Sequence, residues 1–369
     1  KLEYYGVRGN AYNWFASYLC NRQQFVSLRG INSNYHLISC GVPQGSVLGP
    51  LLLLLYVNDI SKSSNILEFY LFADDTNLFL ADQDIHNLEN ILNIELNKKS
   101  QWLYANKLSL NIDKTNFVIF HSAQKKVKYK LSLLIANKQI RHEKHVRYLG
   151  LIFDSNLNWK KHIYELGKKV SRGIGILSKI RHLVNSSLLI QLYYSLIYPF
   201  LTYGLLLWGN NYQSNLKPIV TLQKKAIRII TFSKPDEHSE SLFKRLELLK
   251  LIDLVYYQNA LFMYQYHNHM LPKAYDEFFK EISSVHKYNT RLACKSSYYI
   301  HRARTNYGKF NIQYSSVTVW NGTFSQIDQI KVKRTIISLI QKGLSLHLLL
   351  VLVCVFLFLF LSSSCSLFI

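Results

Sequence analysis

The sequence predicts an α+β unit followed by an all-helical one, with the boundary near Ser155. Two patterns predict it. Up to Asp154, strand-like runs are mixed with helical ones, and beyond it apolar residues recur at helical spacing alone. Composition allows both units to fold: the 369 residues are 49% hydrophobic and 14% aromatic, ample for buried cores and for two or three domains.

In order along the chain, "NAYNWFASYLCNR" is helical, with Trp14, Phe15, Tyr18 and Leu19 on one stripe, and "QQFVSL" follows as a short strand. Pro43 and Gly45 forbid a regular element in the next loop, while Leu51 to Val57 reads as a buried helix. Leu67 to Phe72 and Asn77 to Leu80 are β-rich runs around a polar centre, which is a hairpin. Leu88, Ile91, Leu92, Leu96 and Leu103 give Ile85 to Ala105 a helical period. "KLSLNIDKTNFVIF" then alternates like a strand ending at Phe120, and Val146 to Asp154 is another strand. Three long helical stretches follow: "WKKHIYELGKKVSRGIGILSKI", "SSLLIQLYYSLIYPFLTYG" and "NLKPIVTLQKKAIRII". Their aromatics, like Trp14 and Tyr18, are expected in the core rather than stacked on bases.

Forty-four Lys and Arg stand against 22 Asp and Glu, a formal charge of +22 that calls for a polyanionic partner, nucleic acid first and an acidic membrane surface second. From Lys114 to Arg181 there are 16 basic residues and three acids, Glu143, Asp154 and Glu165. That excess predicts a surface that tracks phosphates, with strongly salt-dependent binding. Cys20, Cys40, Cys294, Cys354 and Cys365 include no C-x-x-C pair, so no zinc site or disulfide framework is expected, and a reducing intracellular compartment fits. With no signal peptide and Lys1 first, the chain reads as a piece of something longer.

The polar centre of the hairpin is "FADDTNLF", which sets Asp74 beside Asp75. Asp is a good turn residue, so the pair alone could merely fill a turn. Strands carrying Phe69, Leu71, Leu78 and Leu80 would hold the tip rigidly, however, and the repulsion of two neighbouring carboxylates is relieved most directly by a divalent cation such as Mg²⁺.

The blocks "GVPQGSVLGP" (41–50), an apolar helix, "FADDTNLF" (72–79), "LSLNIDKTNFVIF" (108–120) and "YLGLIFD" (148–154) occur in that order. Together they resemble the reverse transcriptase of non-LTR, LINE-type, jockey-like retrotransposons. "LQKKAIRII", "HSESLFKRLELLKLIDLVYYQNALFMYQYHN", "YNTRL", "RARTNYGKF" and "VWN" extend the likeness to about residue 330. The resemblance implies a partial right-hand polymerase: fingers and palm over 1–155, a helical thumb over 156–235, a basic C-terminal extension over 236–342, and a hydrophobic tail over 343–369. It implies RNA-directed DNA synthesis with two Mg²⁺ or Mn²⁺ ions, an RNA template, a DNA primer and dNTPs, in the nucleus or cytoplasm.

Carried over by position, Asp74 is the metal ligand and Asp75 its neighbour. Pro43, Gln44, Gly45 and Ser46 match the loop beside the incoming nucleotide and template base. Lys114 matches the lysine near the triphosphate, and Tyr148, Leu149 and Gly150 match the primer grip. The family holds its metals with a further Asp from an earlier strand, motif A, yet Glu3 is the only acid from Lys1 to Asn58. The chain as written is therefore expected to be inactive or nearly so, and the alternative is a non-catalytic RNA- or DNA-binding remnant.

After Lys342 no charged residue remains, and Leu348 to Leu361 is unbroken apolar sequence. Those residues make a helix of about 21 Å, short of the roughly 30 Å hydrocarbon core unless the flanks and the Ser/Cys-containing end are included. Inserted, the tail would put Lys331, Lys333, Arg334 and Lys342 on the cytoplasmic side. Unselected coding sequence that is hydrophobic by composition is favoured over a selected anchor, and either origin implies membrane association or aggregation.

Overall fold

The computed structural model describes residues 1–122, 124–125, 129–285, 297–323 and 365–368. The chain starts with helix α1 (Gly9–Leu19) and a ribbon in which β1 (Arg22–Gln24) pairs with β4 (His36–Ile38), and β2 (Ser27–Leu28) with β3 (Ile31–Asn32). The single strand expected at "QQFVSL" is thus two short ones. Helix α2 spans Leu48–Val57, but the expectation that it is buried is corrected. Only Gly49 is, and Leu51 and Leu54 are half exposed. Its sequence is apolar all round, so a single contact covers only part of it. Trp14 is likewise corrected from core to surface, 54% exposed and stacked on Tyr18 at 5.8 Å.

Strands β5 (Glu68–Phe72) and β6 (Asp75–Asp82) form the expected hairpin. Helix α3 runs from Ile85 to Ala105, as its period predicts, with Asp84 at its N-cap accepting from the His86 N–H at 3.1 Å. Residues 107–115 do not join the strand expected there. Asn111 takes the Lys114 N–H on its side chain, closing a short 3₁₀ turn over Ile112–Lys114, and β7 covers only Asn116–Phe120. A small hairpin, β8 (Leu134–Ile135) and β9 (Lys138–Gln139), turns at Ala136 and Asn137, both at positive φ. Strand β10 (Arg141–His142) then lies parallel to β7. The run from Val146 to Asp154 is a hairpin, β11 (His145–Tyr148) and β12 (Leu151–Asp154), turning at Leu149 (φ +45°) and Gly150 (φ +80°).

The main sheet has the order β10-β7-β13-β6-β5, where β13 is Cys365–Phe368. It is antiparallel to both neighbours, with Leu367 opposite Leu80 on one side and Ile119 on the other. Hence β6 and β7 run parallel, one strand apart, joined through α3 as a split βαβ unit. This corrects the reading in which the Ser/Cys-containing end lengthens a membrane span, because the backbone of residues 365–368 pairs within the sheet. Leu348 to Leu361 lie outside the described residues. Among the described residues, no helix is long and apolar enough to cross a membrane.

Alternation along the strands assigns the two faces. Leu78, Leu80, Phe117 and Ile119 pack with Leu88, Leu92 and Leu96 of α3, while Phe79, Val118 and Phe120 face a second, larger core. That core continues into α4 (Lys160–Ile180), α5 (Ser186–Leu196), α6 (Tyr198–Thr202), α7 (Leu205–Trp208), α8 (Gln213–Ile230), α9 (Ser239–Arg245) and α10 (Leu251–His267). It ends beyond α11 (Ile282–Val285) and α12 (Asn306–Phe310) in α13 (Ile312–Thr323), with Trp320. The sheet and the helical unit therefore share one core across residue 155. The joint is held by the buried Asp154 carboxylate, which accepts the N–H groups of Asn156, Asn158 and Trp159 at 2.8–3.2 Å.

Candidate active site and nucleic-acid surface

The carboxylates stand at the corner of the β5/β6 hairpin. Phe72 and Asp75 close the ladder, and a two-residue turn of Ala73 and Asp74 joins them. Ala73 sits at φ +51°, a left-handed conformation that costs a non-glycine residue about 1 kcal/mol. The cost is met by anchorage, since Asn77, Leu78, Phe79 and Leu80 directly behind the corner are all buried. Asp74 and Asp75 themselves are exposed. By the period of two, Asp75 shares the sheet face of Asn77 and Phe79, the face turned towards the larger core.

Lys114 reaches the same end of the sheet. Phe368 of β13 is opposite Phe79 on one side and Val118 on the other, so Phe79 and Val118 are level. Lys114 ends the 3₁₀ turn two residues before β7 and so lies towards the end of the sheet where β6 begins with Asp75. Lys114 is exposed. Among the described residues, β13 covers Phe79–Asp82 and no strand lies on that side of Asp75–Leu78.

Pro43, Gln44, Gly45 and Ser46 form a turn closed by the Ser46 N–H on the Pro43 carbonyl at 3.2 Å. Gly45 is at φ +81° with open space where a Cβ would be, so its backbone can be approached closely. Ser46 acts locally, its Oγ accepting the Gly49 N–H at 3.1 Å at the start of α2. Gln44 is exposed.

Tyr148 is buried, and the Leu149–Gly150 tip is pinned from the helical unit. The Tyr203 hydroxyl donates to the Leu149 carbonyl, and the Ile152 N–H donates to His162 Nδ1 at 3.3 Å. Neither partner is legible in the sequence, where Tyr203 is one of several expected core aromatics and His162 carries no signal.

Between this hairpin and α4 lies a cavity of about 210 Å³ lined by Arg147, Gly150, Ile152, His162, Glu165, Leu166, Lys168, Lys169 and Arg172. His162, Glu165, Leu166, Lys169 and Arg172 fall on one stripe of α4. The Lys114–Arg181 charge excess includes all four cations without singling them out. Burial, with the fields of Lys169 and Arg147 added, pushes the His162 imidazole down to about 4, so it is neutral at physiological pH.

Two hard carboxylates suit a single Mg²⁺ or Mn²⁺, which binds through one or two protein carboxylates and completes its shell with water and substrate phosphates. Among the described residues, no group of three His, Cys, Asp or Glu side chains is placed to hold a metal.

Residues 1–153 match the family described as reverse transcriptase (RNA-dependent DNA polymerase). The chain is 28% identical over 245 residues to a probable RNA-directed DNA polymerase from transposon X-element of Drosophila melanogaster, covering 64% of this chain and 26% of that protein. It is 28% identical over 226 residues to the RNA-directed DNA polymerase from mobile element jockey of the same fly, covering 58% and 24%. A third relative, a probable RNA-directed DNA polymerase from transposon BS, is 26% identical over 246 residues, covering 62% and 25%. The chain thus spans about a quarter of the length of the curated relatives it matches. No solved structure matches.

Proposed function

We propose, from the match of residues 1–153 to the reverse transcriptase family and the likeness to the X-element and jockey polymerases, that the chain is the palm and helical thumb of a non-LTR, jockey-like RNA-directed DNA polymerase, impaired in catalysis. The observation that carries the reading is the placement of Asp74, Asp75 and Lys114 at one end of one sheet. A divalent cation there would stabilise the charge that develops in phosphoryl transfer. Asp74 is its ligand and Asp75 supports it. Lys114 offers a positive charge to the leaving pyrophosphate. The open Gly45 backbone admits the nascent base pair, with Pro43, Gln44 and Ser46 setting the turn. Tyr148, Leu149 and Gly150 position the primer end.

Impairment follows from the donor set. A two-ion site needs a carboxylate shared between the ions, and among the described residues no third acidic, His or Cys side chain joins the couplet. The partners are an RNA template, a DNA primer and dNTPs. The location is the nucleus or cytoplasm, with membrane association arising only through the apolar C-terminal run.

The test is primer extension on an RNA template with Mg²⁺ or Mn²⁺, run beside a binding assay on the same duplex. The expected result is duplex binding that Asp74→Ala leaves unchanged, with extension at background. Robust extension abolished by Asp74→Ala would refute impairment while keeping the polymerase site. Absence of duplex binding would refute the reading itself.

A further inference from the structure

Cys20 and Cys40 are free, exposed thiols, and the fold joins their two segments at two points. One is the β1/β4 ladder, in which Arg22 is paired with Ile38. The other is the Arg22 side chain, whose guanidinium donates to the Leu19 carbonyl at 3.4 Å and also to the Gly41 carbonyl. Cys20 lies between Leu19 and Arg22 on one segment, and Cys40 lies between Ile38 and Gly41 on the other. Each cysteine is thus bracketed by contacts to the segment that carries its counterpart. The bracket persists where the ladder has ended, through bends at Asn21 (φ +52°) and Gly41 (φ +83°). Directly paired antiparallel residues stand about 4.5–5.5 Å apart, and a disulfide bridges Cα atoms separated by about 4.4–6.8 Å. Segments clamped on both sides of the two thiols therefore hold them within reach of each other.

We propose that Cys20 and Cys40 are an oxidative modification site, a pair that closes to an intramolecular disulfide. The oxidant is a small disulfide of the glutathione class. One cysteine thiolate attacks it, forming a mixed disulfide and expelling a glutathione thiolate. The other cysteine thiolate then attacks the protein sulfur of that mixed disulfide and expels the second glutathione thiolate. The pair loses two protons and two electrons, and the oxidant takes them up as two thiols. In a reducing compartment the pair stays open. Closure links the end of α1 to the segment that enters the Pro43–Ser46 turn three residues after Cys40. An effect on nucleotide handling rests on the polymerase reading, whereas the pairing itself does not.

The test equilibrates the full chain with reduced and oxidised glutathione, blocks the remaining thiols with an alkylating reagent, and then unfolds and digests the chain with trypsin without reduction. Cleavage after Arg8, Arg22, Arg29 and Lys62 puts Cys20 in the peptide 9–22 and Cys40 in the peptide 30–62. The expected product joins these two peptides at two hydrogens less than their summed mass. It should vanish in Cys20→Ser and in Cys40→Ser. The value of [GSH]²/[GSSG] at which half of the chain is joined should be about tenfold higher for the folded chain than for the chain in denaturing urea, where only the intervening residues tether the thiols.

Three results would each overturn the pair: glutathione adducts on the separate peptides without a joined product, preferential joining of either cysteine to Cys294, Cys354 or Cys365, or equal midpoints for the folded and denatured chain. None of them bears on duplex binding or primer extension, so the pair and the polymerase reading stand or fall separately.

Discussion

Trp208→Ala is expected to destabilise the protein by about 3–5 kcal/mol, read as a fall in the denaturant midpoint, because it empties the largest fully buried side chain of the shared core. The damage should also reach the hairpin. The Trp208 indole donates to the Tyr203 carbonyl at 2.9 Å, and the Tyr203 hydroxyl in turn holds the Leu149 carbonyl. Trp208 further packs against His162, ring centres 5.8 Å apart. Trp208→Phe retains most of the volume and should cost far less. Equal losses for the two substitutions would show that the indole hydrogen bond, and not packing, sets the value.

Acidification should cost nearly as much through a single group. His162 titrates at about 4 in the folded protein and near 6.5 when unfolded, with burial the main cause. Between those values the unfolded chain binds the extra proton, so stability falls as pH drops. The contribution is fully present above about 6.5 and shrinks by roughly 3 kcal/mol on reaching pH 4. His162→Phe fills similar space without a titrating nitrogen. Its denaturation midpoints should lose this component of the pH slope, and an unaltered slope would locate the acid sensitivity elsewhere.

What sequence could reveal divides along physical lines. Helix α3 is readable to its ends because its stripe and its Asp84 cap are local. The β5/β6 hairpin is readable because a short polar centre separates two apolar runs. Strand β13 is not: "CSLF" continues an apolar tail by composition, and its place depends on pairing with residues some 250–290 positions away. Periodicity carries no information about a partner. The exposure of Trp14 and α2 escaped for a related reason, since hydrophobicity predicts a wish for burial and not the presence of a cover.

At the site, the couplet, the Pro43–Ser46 loop and the Tyr148–Gly150 tip are each contiguous and stand out as words. That Asp75 and Lys114 lie towards the same end of the sheet emerges only when the strands are aligned. His162 is one of 13 histidines, and it acquires meaning only from the Ile152 N–H that fixes its tautomer and from the Trp159 and Trp208 rings that enclose it.

The most direct test of the account asks whether the exposed corner of the hairpin receives a divalent ion. Mn²⁺ added to the ¹⁵N-labelled chain should broaden the amide signals of Ala73, Asp74, Asp75 and Thr76 first, and Asp74→Asn with Asp75→Asn should abolish the effect. Broadening that begins elsewhere, or that persists in the doubly substituted chain, would contradict the assignment of these carboxylates as a metal seat.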